Sequence, residues 1–412
     1  MGEVNHECGI AALYWLSNGC QTDKATGLVS DGNVTSIIPG MLLNLQNGGQ
    51  QAAGFSTYNP DSDQRIVTYK ALGSVIESLA MYDSEKHCSI LNEYAGKAAI
   101  GHTRYATYGA DDLRFAQPFE RQHGHPWEWY SFAFNGTLTN CSNLKKELAE
   151  QGYHCTLNNS DTELIMHFLA QKLRGNKAPN LENVMRYLAS KFDGAYNIVF
   201  LDAMGRSFIS RDPLGFRPMN WGIQGSLFAA ASESVALSNL GFDDENIRSL
   251  NPGEMVIIDE KGKMQVKRFA KSRKKSRCWF EYIYFSNVAS RIDDLGVYEA
   301  RATAGRILSE AEDQQIDGNS IVVPVPDTGK AAADAFAYGL SIPCIEGIMR
   351  NRFAGRTFIQ SMTHTFSLDN KYTILPSVIS GKKVFVVEDS IVRGATLRAL
   401  VKKIVGLAKE VH

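Results

Sequence analysis

Glu388 and Asp389 stand side by side after an apolar run, Lys383 to Val387, in the segment Val386-Val-Glu-Asp-Ser-Ile-Val-Arg-Gly-Ala-Thr396. Behind them come the hydroxyls of Ser390 and Thr396, a glycine at position 394, several backbone amides and a helical pattern from about Leu397. A helix N-terminus, with unpaired N–H groups and the positive end of its dipole, is a natural cradle for phosphate. Gly394 lets backbone approach closely, and Ser390 and Thr396 can donate to phosphate oxygens. The carboxylates are then placed for sugar hydroxyls, directly or through Mg²⁺, which prefers oxygen ligands. An acidic pair at a strand end is common by chance; one followed by a complete loop of this kind is not.

A second kind of chemistry is possible at Cys8, which opens Cys-Gly-Ile-Ala after a short polar leader, residues 1–7. A cysteine near an N-terminus is by itself more often inert than catalytic, so its weight depends on what else the chain carries.

The elements that must hold these residues differ between the two halves. Ile321 to Val325 and Lys383 to Val387 are continuous apolar runs, each followed by a loop and a helical stretch, the first from Lys330 to Tyr338. Such alternation predicts a parallel α/β sheet buried on both faces, with ligands at the carboxyl ends of its strands. Earlier in the chain the texture is mostly strand-like, with Tyr130 to Phe134, Tyr196 to Leu201 and Met255 to Ile258 between Gly, Asn and Asp turns. The spacing also predicts a helix over 161–173, opened by Ser160-Asp-Thr-Glu163 as a capping box in which Ser160 and Glu163 satisfy orphan amides reciprocally. That half is an α+β pattern of packed sheets covered by helices.

Composition bounds the rest. The 412 residues suggest two or three domains. A net charge of −1 gives no general pull towards nucleic acid or membrane. No apolar run approaches the roughly 20 residues of a membrane span, and the first residues lack a secretory pattern. The 7 cysteines are odd in number and contain no CxxC pair, which favours reduced thiols in a cytoplasm. Basic residues crowd between Lys267 and Arg277 with Phe269 as the only interleaved aromatic. That composition is expected of a solvated linker rather than a nucleic-acid surface. The expected division is a leader over 1–7, a first domain over 8–266, a linker over 267–277 and a second domain over 278–412.

The loop at Glu388 resembles the phosphoribosylpyrophosphate (PRPP) motif of type I phosphoribosyltransferases. The resemblance implies a pyrophosphate loop, matched by Pro326-Asp327-Thr328-Gly329-Lys330, and a basic lid, matched by Arg350-Asn-Arg-Phe-Ala-Gly-Arg-Thr-Phe358. Arg350, Arg352 and Arg356 would clamp the anionic leaving group, and Ser390, Val392, Arg393, Gly394, Ala395 and Thr396 would wrap the sugar phosphate. In the first half, Cys8 is joined by Gly101-His-Thr-Arg-Tyr-Ala-Thr107, Phe134-Asn-Gly-Thr-Leu-Thr-Asn140, Ser160-Asp-Thr-Glu163 and Arg211-Asp-Pro-Leu-Gly-Phe-Arg-Pro218. In this order they resemble class II glutamine amidotransferases, whose fold is the N-terminal-nucleophile αββα sandwich. Gln46-Asn-Gly-Gly-Gln-Gln-Ala-Ala-Gly54 fits more loosely.

The resemblance implies that loss of residues 1–7 frees the Cys8 α-amine as base for its own thiol, an amine titrating near pH 8. Asn135 and the Gly136 N–H would hold the oxyanion, worth ~3–4 kcal/mol each. Arg104 would pair with the substrate carboxylate and Asp161 with its ammonium. Taken singly, Arg104 is also a plausible strand arginine, Asn135-Gly136 a common hairpin turn and Asp161 a first-turn acid.

A glutaminase followed by a phosphoribosyltransferase resembles the glutamine PRPP amidotransferases, and Phe280-Glu-Tyr-Ile-Tyr-Phe285 and Val297-Tyr-Glu-Ala-Arg301 match the same branch. This implies synthesis of 5-phosphoribosylamine, the first committed intermediate of purine synthesis, with ammonia passed internally. It also implies Mg²⁺ held by Glu388 and Asp389, homo-oligomers and purine nucleotide inhibitors. No iron–sulfur cluster is expected; Cys278 falls at a ligand position but decides nothing alone.

The chain departs from the family pattern at Gly48 (usually arginine), Gly329 (usually serine), and Arg350 and Phe353 (usually lysine and tyrosine). Ala408 to His412 has the pattern of a further strand, so the second domain is expected to be cut short. These departures leave room for a glutaminase with an impaired transfer half, or a non-catalytic PRPP- or nucleotide-sensing relative.

Overall fold

In the computed structural model, which describes residues 8–16, 32–105, 112–157, 160–272, 274–351, 371–392 and 394–412, strand Gly9–Trp15 is buried along its whole length. Successive side chains of a strand point to opposite faces. Ile10, Ala12 and Tyr14 therefore enter one core, while Ala11, Leu13 and Trp15 enter another beneath helix Ile38–Asn44. The same alternation recurs in strand Tyr130–Leu138, where Phe132 and Phe134 face one core and Ala133 the other. Two-sided burial is why these strands read as apolar runs rather than as alternating patterns.

The chain divides into two units, the first comprising Met1–Cys278 with Arg291–Asp294, the second Trp279–Ser290 with Leu295–His412. Among the described residues of the first unit, a seven-stranded sheet runs Ile247–Ser249, Asn220–Gln224, Leu227–Ala231, Gly9–Trp15, Ala98–Arg104, Ala52–Tyr58, Ile66–Leu72. A six-stranded sheet runs Met264–Arg268, Glu254–Ile258, Ser207–Ser210, Gly194–Asp202, Tyr130–Leu138, Phe119–Arg121. The registered pairings in both are antiparallel. Ile10, Ile100, Val199, Leu201, Ile209 and Val256 fill the core that the two sheets share. Helices Asp161–Leu173 and Leu181–Lys191 cover the far face of the six-stranded sheet through Phe168, Leu169, Val184 and Leu188. This is the αββα sandwich. Lys267 and Arg268, at the start of the basic run, lie in strand Met264–Arg268.

Helix Asp161–Leu173 has the expected limits, but its cap is only half a capping box. Ser160 Oγ accepts from the Glu163 N–H at 3.3 Å. The Glu163 carboxylate turns away, accepting from Thr156 N (2.7 Å), Thr156 Oγ1 (2.8 Å) and Leu157 N (2.7 Å). Ser160 N–H is satisfied instead by Leu157 O at 3.4 Å, because the chain before the helix folds back to serve both ends of the cap.

In the second unit, strands Ser320–Pro324, Lys383–Val387 and Glu410–Val411 pair in parallel, in that order along the sheet. Val322, Phe385 and Val387 meet Ala333, Phe336 and Ala337 of helix Lys330–Leu340 on one face. Ile321, Val323 and Val384 meet Leu400 and Ile404 of helix Ala395–Val405 on the other. Arg301, buried in helix Val297–Glu310, donates to Tyr282 O (2.9 Å) and Ser286 O (2.8 Å), clasping the π-helical turn Glu281–Phe285. Strands Ile348–Arg350 and Tyr372–Ile374 form an antiparallel pair that nothing in the apolar pattern announces, three residues each being too short to show a period. Among the described residues no helix is long and apolar enough to cross a membrane.

Candidate active site

Cys8 immediately precedes strand Gly9–Trp15, so alternation places it on the face of Ile10, towards the shared core. His102 and Arg104 follow Ala98 and Ile100 onto that face from the next strand, and Asn135 follows Ala133 from the opposite sheet. Residues from three distant segments thus collect at one end of the sandwich. The strand is seated tightly there: Gly9 N–H donates to Thr103 Oγ1 at 3.1 Å, and Thr103 Oγ1 donates to Leu45 O at 3.2 Å. Cys8 Sγ lies 3.8 Å from Tyr105 O.

A cavity of about 350 Å³ opens at this end, lined by Cys8, Arg104, Gly136 and Asp161, with Tyr105, Gln117, Cys141 and Lys145 among its other walls. Asn135 is not among the lining residues; its side chain is buried beside them, with Oδ1 lacking a hydrogen-bond partner among the described residues. Gly136 is a strand residue, not a hairpin turn: its φ is +153°, and a Cβ there would lie 2.0 Å from Ala195 O. Gln117 fixes the strand just before it, accepting from Phe134 N at 2.7 Å and donating to Phe134 O at 3.3 Å.

Asp161 is the first residue of its helix, and its Oδ2 accepts from Leu138 N at 3.4 Å. Burial raises its carboxyl to about 6, against the pull of the Leu138 and Thr162 amides. Burial also pushes the Cys8 thiol up, while the Tyr105 backbone and the Arg104 and Arg217 charges oppose it. Burial and the neighbouring Arg104 drive His102 down to about 3, so its ring is neutral. Gly48 lies against the backbone of Cys8, where a Cβ would come 3.4 Å from the Cys8 carbonyl carbon. At Gly49 a Cβ would strike the Arg104 backbone at 2.5 Å, so only glycine fits.

In the second unit, the Glu388–Asp389 pair ends strand Lys383–Val387 as expected, and its parallel neighbour Ser320–Pro324 leads to Asp327, Thr328 and Gly329. The two loops meet: Thr328 Oγ1 donates to Asp389 Oδ2, and Ser390 Oγ donates to Asp389 Oδ1 at 2.5 Å. Arg350 Nη1 donates to Asp327 Oδ2 at 2.9 Å, and Lys330 Nζ to Glu346 Oε1 at 2.5 Å. Burial, then the adjacent Asp389 charge, pushes Glu388 up to about 8. Val392 is exposed, and Gly394 takes a left-handed φ of +67° as it caps helix Ala395–Val405. Arg352, Phe353, Arg356 and Arg393, and the side chains of Ala395 and Thr396, lie outside the described residues.

Known proteins fit both halves. The glutamine amidotransferase domain family matches residues 102–239. The chain is 34% identical over 415 residues to an amidophosphoribosyltransferase of Methanothermobacter thermautotrophicus, covering 100% of this chain and 80% of that protein. The Archaeoglobus fulgidus amidophosphoribosyltransferase is 36% identical, covering 90% and 77% respectively. The chain belongs to the amidophosphoribosyltransferase family. A solved Bacillus subtilis glutamine PRPP amidotransferase, complexed with ADP and GMP, superposes with a TM-score of 0.80 at 30% identity over 98% of this chain and 80% of that one.

As an amidophosphoribosyltransferase relative, the chain also buries polar residues whose placement the sequence does not reveal. Arg211 and Arg217 stand in the segment Arg211 to Pro218, yet nothing in their spacing says that both are buried. Asn197 pairs across the sheet with Asn135 and donates to Pro218 O at 2.8 Å, a contact between distant segments that no local pattern carries.

Proposed function

We propose that this chain makes 5-phosphoribosylamine from PRPP and glutamine, the first committed step of purine synthesis. What carries the reading is the convergence of Cys8, Arg104, Gly136 and Asp161 on one cavity. Arg104 would take the glutamine α-carboxylate and Asp161 its α-ammonium, leaving the carboxamide at Cys8. With residues 1–7 removed, the Cys8 α-amine accepts the thiol proton and Sγ attacks the carboxamide carbon. The oxygen gains its charge between Asn135 Nδ2 and Gly136 N–H, donors already fixed in a buried strand. The C–N bond breaks, the α-ammonium returns its proton to the departing nitrogen, and ammonia leaves. Water then cleaves the thioester, giving glutamate and free thiol.

In the second unit, ammonia would displace pyrophosphate from ribose C1. Asp327, Thr328, Gly329 and Lys330 would hold the pyrophosphate, with Arg350, Arg352 and Arg356 closing on it. Glu388 and Asp389 would take the ribose hydroxyls, and the loop Ser390 to Thr396 the 5-phosphate. Among the described residues no three side chains form a ready metal cage. A pair of carboxylates suits Mg²⁺, which takes one or two from protein and the rest from phosphate and water. Bound with PRPP, Mg²⁺ would neutralise charge on the leaving pyrophosphate. The family and the nucleotides on the B. subtilis relative favour purine nucleotide inhibition here too. A cytoplasmic homo-oligomer, divided near residues 267–277, completes the proposal.

Intact mass and glutamine-dependent pyrophosphate release test this on wild type and Cys8→Ala. A chain beginning at Cys8, with release lost in the variant, is expected. An uncleaved chain that releases no pyrophosphate would overturn it in favour of a binding relative.

A further inference from the structure

Arg350 stands opposite Tyr372 in the short ribbon formed by strands Ile348–Arg350 and Tyr372–Ile374. From that one register position two side chains reach the loop after strand Ser320–Pro324. The Tyr372 hydroxyl donates to Pro326 O at 3.5 Å, and Arg350 Nη1 donates to Asp327 Oδ2 at 2.9 Å. Tyr372 and Ile348 are buried in one core with Val325 and Ile379, so the ribbon is anchored beside the loop it touches. A second bridge joins the same two segments, from Lys330 Nζ to Glu346 Oε1 at 2.5 Å. Thr328 turns the other way, its Oγ1 donating to Asp389 Oδ2. Neighbouring loop side chains thus serve different partners, Thr328 the acidic pair and Asp327 the ribbon.

A carboxylate is an unexpected side chain in a loop that takes pyrophosphate, because its charge repels the ligand. Stability does not explain it either. The Asp327 side chain is 62% exposed and that of Arg350 35%, and an ion pair so open to water adds little. What the pair does fix is the direction of the guanidinium. Arginine carries five N–H groups in a rigid fork, so one nitrogen can hold Asp327 while others meet phosphate oxygens. Lysine, a point charge on a flexible stem, has no such fixed directions.

We propose that Asp327 is a positioning residue for pyrophosphate, acting through Arg350: its carboxylate aims the guanidinium across the loop towards the leaving group. Asp327 therefore aids binding of an anion that its own charge opposes. The inference rests on the second unit taking PRPP.

The test separates aim from charge by the sign of the effect. Binding of inorganic pyrophosphate is measured by calorimetry, and PRPP KM by pyrophosphate release with ammonia as nitrogen source. The chains compared are wild type, Asp327→Asn, Asp327→Glu, Arg350→Lys, Arg350→Gln and the double variant Asp327→Asn with Arg350→Gln. Asp327→Asn should raise both Kd and PRPP KM about tenfold, roughly the loss of one charge-assisted hydrogen bond, with KM for ammonia and the melting temperature unmoved. Asp327→Glu should recover part of the loss, Arg350→Lys should show a similar one, and the double variant should be no worse than Arg350→Gln alone. Tighter or unchanged pyrophosphate binding in Asp327→Asn, or losses that add in the double variant, would overturn the inference. Wild type that binds pyrophosphate as expected but never turns over PRPP would overturn the proposed reaction and leave the role of Asp327 standing. Wild type that binds no pyrophosphate would overturn both.

Discussion

Gly329 sits so close beneath the carbonyl of Val387 that a Cβ would come within 2.7 Å of that oxygen, and within 2.8 Å of Val325 O. The two loops proposed to grip PRPP are therefore in backbone contact at Gly329. Gly329→Ser should lower, not raise, pyrophosphate release with either glutamine or ammonia as nitrogen source. The strain expected of an overpacked site is about 1–3 kcal/mol. Steady-state kinetics in PRPP check this; an improved KM would show that the loop has room to shift.

Gly136→Ala should be harsher. The added methyl meets Ala195 O at 2.0 Å, and φ is +153°. Strand Tyr130–Leu138 must shift against Gly194–Asp202, costing about 2–4 kcal/mol. Urea denaturation should show that loss together with abolished glutaminase.

Asp161→Asn should separate stability from binding. Burial raises the Asp161 pKa to about 6, so the folded state holds this proton more tightly than the unfolded chain. Its contribution to stability is full below the unfolded carboxylate pKa and is lost as pH rises through about 6. Asn removes that loss, so at pH 7 the variant should be as stable as wild type or more so, by up to about 3 kcal/mol. Glutamine kcat/KM should collapse. In wild type kcat/KM should fall below pH 6, where the carboxylate is protonated, and a flat profile from pH 7 to pH 5 would contradict Asp161 as the ammonium partner.

Asp293→Ala should destabilise the first unit by about 3–5 kcal/mol, since it strands Arg211 in the interior. Burial would raise the Asp293 pKa, but hydrogen bonds and charge from Arg211 and Arg277 hold it below the usual range. Its contribution is thus present above the unfolded carboxylate pKa and lost as pH falls through the lower folded value. Acid titration of unfolding should show that loss in wild type but not in Asp293→Ala.

The parallel strand ending in Glu388-Asp389 and the helix opening at Asp161 were legible in the sequence because their apolar spacing and cap chemistry are local. Both ends of strand Lys383–Val387 fall where the apolar run does. The Glu163 cap was not legible, because its partners Thr156 and Leu157 depend on how the preceding chain folds back. Gly48 and Gly329 read as departures from a pattern; their meaning depended on which backbone lies a few ångströms away, as Gly49 shows against Arg104.

Strand Gly9–Trp15 has paired neighbours on both edges and closed cores on both faces. Its amides should exchange with deuterated solvent only when the whole unit opens. The proposed nucleophile is then bolted to the slowest-opening part of the unit. Any breathing that admits glutamine must come from the far wall, where helix Asp161–Leu173 begins, and deuterium uptake at its first turn should outpace uptake beside Cys8.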